Sequence, residues 1–179
     1  MTVARNSCSG TCMGACVIIG DITEPERWVE RVHTLMAQTI KGRCHCGNIA
    51  NEFKHHHGDD IAVRACGCDF CGMHGGVRTS DAAGSLRINI EDIGLLNKYN
   101  FGTKTADFYI CSRCGVVPTV VSEIENQTYA VVNVNTFQDV DISRFEKAET
   151  NFGGEGTNER LARRCRNWIP DVRVSIGIP

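Results

Sequence analysis

Seven cysteines fall into three tight clusters: Cys44-His45-Cys46, then Cys66-Gly67-Cys68-Asp69-Phe70-Cys71, then Cys111-Ser112-Arg113-Cys114. This spacing constrains the fold more than any other property of the chain. Cysteines one or two residues apart are poorly placed to bridge one another and well placed to ligate one ion. The chain holds 11 cysteines, an odd number, which also argues against complete pairing as disulfides. Two pairs and one triplet form a pattern for two metal ions. Four thiolates can enclose one ion, and the other keeps three protein ligands and a free corner. A closed zinc site holds a fold together, whereas an open one can bind and activate a small molecule.

The pair Cys111 and Cys114, followed by Gly115, ends the apolar stretch 106–110 and reads as a zinc knuckle. Glycine lets the chain turn back there while backbone N–H groups face the sulfurs. Cys44-His45-Cys46-Gly47 reads as the partner half. On an extended strand, alternate side chains share a face, so C-x-C would put two sulfurs together. The halves lie 65 residues apart, from Cys46 to Cys111. An ion between them staples the start of the domain to its middle, and its binding becomes folding free energy on the order of 10 kcal/mol.

The triplet Cys66, Cys68 and Cys71 spans a strand-to-turn bend, and its three sulfurs can reach one ion. With the fourth corner open, zinc would deprotonate a bound thiol and prepare sulfur to attack an electrophile. Alternatively the site is closed, with His74 or Cys165 as fourth ligand, or the thiolates carry an iron–sulfur cluster.

Along the chain, residues 1–38 read as an N-terminal extension, with Cys8, Cys12 and Cys16 in a stretch of small residues and a short helix over 24–38. Met36 offers an alternative start to the compact part. Residues 39–137 read as the zinc-binding β domain. Strands are expected over 48–54, 61–66, 76–80, 85–90, 98–101, 106–110, 116–124 and 129–134, with a helical turn over 91–97. Residues 138–179 read as a C-terminal extension with a helix over 158–168, stopped by Pro170, and a last strand over 171–176.

A net charge of −2, without a basic run, gives no reason to expect a nucleic-acid or membrane partner. No apolar stretch is long enough to span a bilayer. The run Cys16 to Ile19 is too short for the core of a signal peptide, so a reducing cytoplasm is the expected setting, where thiolates hold metal. Among other residues, Arg78 and Lys104 are candidates for binding a substrate carboxylate, and His74 for a catalytic acid or base near the triplet. His55, His56 and His57 precede Gly58 and read as a solvated hairpin tip, with Phe70 packing beneath the metal turn.

The order G-x-C-x-C-G at Gly42 to Gly47, C-x-C-x-x-C at Cys66 to Cys71, and C-x-x-C-G at Cys111 to Gly115 resembles the glutathione-dependent formaldehyde-activating enzyme family, which includes centromere-protein-V-like domains. The similar region runs from about Thr39 to Phe137. The resemblance implies a mainly β chain, in a β-tent fold of small antiparallel sheets stapled by zinc, here with short helices at the termini. It implies two zinc ions per chain, one structural on Cys44, Cys46, Cys111 and Cys114, the other catalytic on Cys66, Cys68 and Cys71. It also implies a carbon–sulfur lyase that joins a small thiol, glutathione or similar, to an aldehyde. The founding reaction gives S-hydroxymethylglutathione. Two other readings use the same scaffold: a non-catalytic two-zinc module holding a protein or peptide, and a thiolate zinc store or redox sensor.

Overall fold

The computed structural model describes residues 37–58 and 60–177. The helix expected over 24–38 and the cysteines at 8, 12 and 16 lie outside them, apart from Ala37 and from Gln38, which opens the first strand. The described chain is mainly β, built as two sheets over a shared core.

The first sheet has four strands in the order β1 (Gln38–Arg43), β2 (Ile49–His55), β5 (Ser85–Ile90) and β11 (Asp171–Ile176). Strand β2 shows why: Ile49, Asn51, Phe53 and His55 are buried while Glu52 and Lys54 face water, the two-residue period of a strand with one covered face. Leu86, Ile88 and Ile90 repeat that period on β5. The second sheet has seven strands, in the order β10 (Lys147–Thr150), β3 (Val63–Cys66), β4 (Val77–Thr79), β9 (Gln127–Asn133), β8 (Thr119–Ile124), β7 (Asp107–Cys111) and β6 (Leu96–Tyr99). Both sheets contribute to the main core, where Phe53, Leu86 and Ile88 meet Tyr109, Val121 and Val132.

The segment 138–179 joins both sheets. Strand β10 runs parallel to β3, and β11 runs parallel to β5, while every other pairing is antiparallel. Between them lies helix α2 (Thr157–Asn167), which stops before Pro170. A shorter helix, α1 (Asp69–Met73), sits inside the cysteine triplet. Among the described residues, no helix is long and apolar enough to cross a membrane.

Two local readings change. The C-x-C pair is not on an extended strand: Cys44 follows β1, and Cys46 lies on the turn leading to β2. The histidine run is not simply a solvated tip. His55 is fully buried and stacks on Phe53 at 5.2 Å between ring centroids, while His56 and His57 turn toward the Asp81 carboxylate.

Candidate metal centre and its cavity

The two cysteine pairs sit on matching turns. After β1, the Cys44 N–H donates to the Ile49 carbonyl (2.8 Å) and the Gly47 N–H to the Cys44 carbonyl (3.0 Å). After β7, the Cys111 N–H donates to the Val116 carbonyl (3.0 Å) and the Gly115 N–H to the Cys111 carbonyl (2.8 Å). Gly47 and Gly115 take φ of 86° and 74°, a left-handed conformation that disfavours any residue with a Cβ. The four sulfurs lie within 4.8 Å of one another, with Cys44 to Cys46 at 3.7 Å and Cys46 to Cys111 at 3.4 Å. A tetrahedral ion with bonds of about 2.3 Å needs sulfurs roughly 3.8 Å apart, so the set fits one ion. Cys44 and Cys111 are fully buried in the main core.

Burial pushes the Cys44 thiol up to about 12, against the lowering effect of the Ile49 N–H, which points at its sulfur from 3.3 Å. Burial raises Cys111 as well. At Cys114 burial is outweighed by the N–H groups of Cys46 and Val116, which draw the thiol down to about 6. The chain thus presents sulfurs that a dication can strip of protons, enclosed where water does not compete.

The triplet is assembled from one short segment. Cys66 ends β3, Cys68 precedes α1, and Cys71 lies within α1, 4% exposed. Their sulfurs also fall within 4.8 Å of one another, with Cys66 to Cys68 at 3.6 Å. A hydrogen bond with Cys71 pulls Cys66 down to about 5, and the same bond together with burial pushes Cys71 up. Arg78 faces these sulfurs from β4. Burial lowers its pKa, and the negative charge at Cys71, Cys66 and Cys68 opposes that. Gly76 permits this approach, because a Cβ there would lie 3.2 Å from the Cys71 Cβ and 3.3 Å from an Arg78 guanidinium nitrogen.

All three triplet cysteines line a cavity of 410 Å³, together with Arg78 and the rings of Phe101, Phe108 and Trp168. Neither candidate for a fourth ligand joins the triplet. His74 is exposed, with Nδ1 3.1 Å from the Phe70 carbonyl and its ring 4.3 Å from the Phe70 ring, and it is not among the lining residues. Cys165 is exposed on α2, beside the Tyr129 hydroxyl. Lys104 is exposed on the loop whose neighbours Thr103 and Thr105 line the cavity. Among the described residues, the histidine run does not gather with other ligands into a metal-sized cluster. Phe70 packs in an aromatic group with Tyr99, Phe101 and Phe108.

The sequence reading passed over Arg160, Arg163 and Arg164, which line the same cavity from α2. The signal was present: spacings of three and four residues put all three on one face of a helix.

The sequence matches the family model described as "Glutathione-dependent formaldehyde-activating enzyme" over residues 39–152. No curated protein matches the chain. Among solved structures it is similar to a crystal structure of a Rhodobacter sphaeroides protein, at 29% identity and a TM-score of 0.49, over 62% of this chain and 99% of that one. The family match takes in all seven clustered cysteines and ends just before the arginines of α2, so by its metal-ligand framework the chain belongs to the glutathione-dependent formaldehyde-activating enzyme family.

Proposed function

We propose that the protein is a zinc-dependent enzyme of the carbon–sulfur lyase type, joining a small thiol to an aldehyde. The observation that carries this reading is the opening of the three-cysteine cluster onto a cavity beside the buried Arg78. Zinc on three thiolates would leave one position for a substrate thiol and lower its pKa below neutrality. Cys66, Cys68 and Cys71 would hold that ion, and Cys44, Cys46, Cys111 and Cys114 a second, structural one.

The chain's own residues supply the rest. Arg78 offsets the negative charge of the three sulfurs and offers its free edge to a substrate carboxylate. Phe101, Phe108 and Trp168 exclude water from the reacting atoms. The thiol sulfur attacks the aldehyde carbon, a carbon–sulfur bond forms as the carbonyl π-bond breaks, and the carbonyl oxygen takes up a proton equal to the one the thiol gave up. We give His74 no step in this reading.

The test is formation of formaldehyde adducts with a panel of small thiols, mercaptosuccinate and glutathione among them, followed by NMR exchange spectroscopy because the uncatalysed reaction is reversible. Zinc-loaded protein should accelerate exchange above background, and Cys68→Ser should abolish the acceleration. Exchange at the background rate with several thiols and aldehydes would overturn the assignment.

A further inference from the structure

The cavity carries more positive charge than the three sulfurs and one ion can balance. Five arginines line it: Arg64, Arg78, Arg160, Arg163 and Arg164. The one carboxylate among the described lining residues is Glu155, which Arg163 takes in a two-pronged bond of 2.7 and 2.9 Å. The other four guanidiniums have no acidic partner among the described residues. Arg78 and Arg164 are each only 6% exposed. Both terminal nitrogens of Arg78, and Nε of both Arg160 and Arg164, are buried without a hydrogen-bond partner.

Buried charge is normally paired, because taking an unpaired ion out of water is expensive. Neutral partners meet part of the demand. Arg164 donates to the Thr105 carbonyl at 2.7 Å and the Thr105 hydroxyl at 2.8 Å, with its charge over the Trp168 ring at 4.8 Å. Arg160 donates to the Phe152 carbonyl at 2.6 Å, and Arg64 to the Ser80 hydroxyl at 2.6 Å. None of these contacts cancels charge. Three thiolates around a dication leave a net charge of one negative unit, so about three of the four guanidiniums still lack a counter-charge.

We propose that the cavity binds a ligand bearing at least two oxyanion groups and no ammonium, one group held by Arg78 beside the triplet and the other by Arg160 and Arg164 of α2. The apolar body of that ligand lies against Phe101, Phe108 and Trp168. An ammonium is disfavoured there, because the arginines repel it and the one lining carboxylate, Glu155, is engaged by Arg163. Helix α2 lies beyond the family-matched residues, so the family match does not by itself account for the arginines that α2 adds. The proposal rests on the reading of the triplet as an open metal site, but it concerns which ligand enters, whether or not the thiol–aldehyde step takes place.

The experiment is calorimetric titration of the full, metal-loaded chain with mercaptosuccinate, thioglycerol, succinate and 2-phosphoglycolate. Mercaptosuccinate should bind at least tenfold tighter than neutral thioglycerol, a ratio set by charged hydrogen bonds. Succinate should compete with it although it has no sulfur. If 2-phosphoglycolate outbinds succinate, one of the two groups is a phosphate; the reverse order assigns two carboxylates, and either result supports the proposal. Arg160→Gln should reduce the mercaptosuccinate-to-thioglycerol ratio by roughly tenfold. Should the buried Arg164→Met variant fail to fold, the half-buried Arg160 site carries the test, together with a fall in mercaptosuccinate affinity as salt rises. Equal affinities for the charged and neutral thiols, or a ratio unchanged in Arg160→Gln, would overturn the proposal. Succinate binding without any adduct formation would leave the proposal standing and remove the lyase reading instead.

Discussion

Replacing Cys111 with serine tests the structural half of the site. Cys111 lies at the end of β7 in the seven-stranded sheet, and its partners Cys44 and Cys46 lie beside β1 in the four-stranded sheet, so the tetrad ties one sheet to the other. The smallest effect of opening it is entropic. Closing the 65-residue separation between Cys46 and Cys111 is worth about 4 kcal/mol by chain-entropy reasoning. The largest is the whole binding free energy of a structural zinc, about 10 kcal/mol or more. A domain of this size has a net stability of roughly 5–15 kcal/mol, so even the lower figure removes much of it. Serine adds a buried hydroxyl at a fully buried position, an effect of about 1–3 kcal/mol, which Cys111→Ala separates from ligand loss.

The assay is metal content per chain by mass spectrometry, combined with urea unfolding followed by near-ultraviolet circular dichroism. Both variants should lose one ion and at least about 4 kcal/mol, with the fold lost altogether if the larger figure applies. A folded Cys111→Ala protein that keeps two ions, or loses less than about 1 kcal/mol, would refute the reasoning that metal joins the sheets.

Three further outcomes follow from the structure. Cys68→Ser should lose one ion while keeping its unfolding free energy to within about 2 kcal/mol, because the triplet ligands span only residues 66–71 and close no long loop. Stability should fall as pH drops through about 6.5. Burial, followed by the charge of His57, holds the folded-state pKa of His55 below its ordinary value despite Asp81, so the unfolded chain takes the proton first; His55→Leu should flatten urea midpoints measured between pH 7.5 and 5.5. Gly84→Ala should lose about 1–3 kcal/mol in thermal unfolding, because its Cβ would meet the Lys54 carbonyl oxygen at 2.5 Å, and backbone cannot step aside as a flexible side chain would.

Much of the strand pattern was legible where one face of a strand is covered, as in Ile49–His55 and Ser85–Ile90. Asp171–Ile176 also lies where it was expected, although almost all of it is exposed. The grouping of the cysteines was legible for a different reason: sulfur spacing reports local geometry directly, and seven cysteines within one stretch leave few groupings. What could not be read was tertiary. His55 opens a histidine run that precedes Gly58, so the strand was ended at residue 54; it runs one residue further, and parity places His55 in the core. The C-x-C pair looks the same on a strand as on a tight turn until the hydrogen bonds of Gly47 decide it. The arginines of α2 share one helix face by their spacing, but a helix carries no indication of which cavity that face will cover.

The two clusters offer the same sulfur ligands but differ in how far along the chain these are drawn, and that difference would suit the separate roles proposed for them. Ligands gathered from both sheets would make an ion part of the fold, so substitution there should be answered by unfolding. Ligands gathered from the single segment Cys66–Cys71 leave the fold to stand by itself. The walls around that segment come from elsewhere: Phe108 from β7, Val120 from β8, Val131 from β9, and the arginines from α2. A side chain on such a wall can change without disturbing either ligand set. In this architecture, therefore, substrate preference is free to vary at fixed metal content and fixed topology. Arg160, whose polar partners are main-chain carbonyls of Phe152 and Glu155 and which touches no metal ligand, is one such wall position.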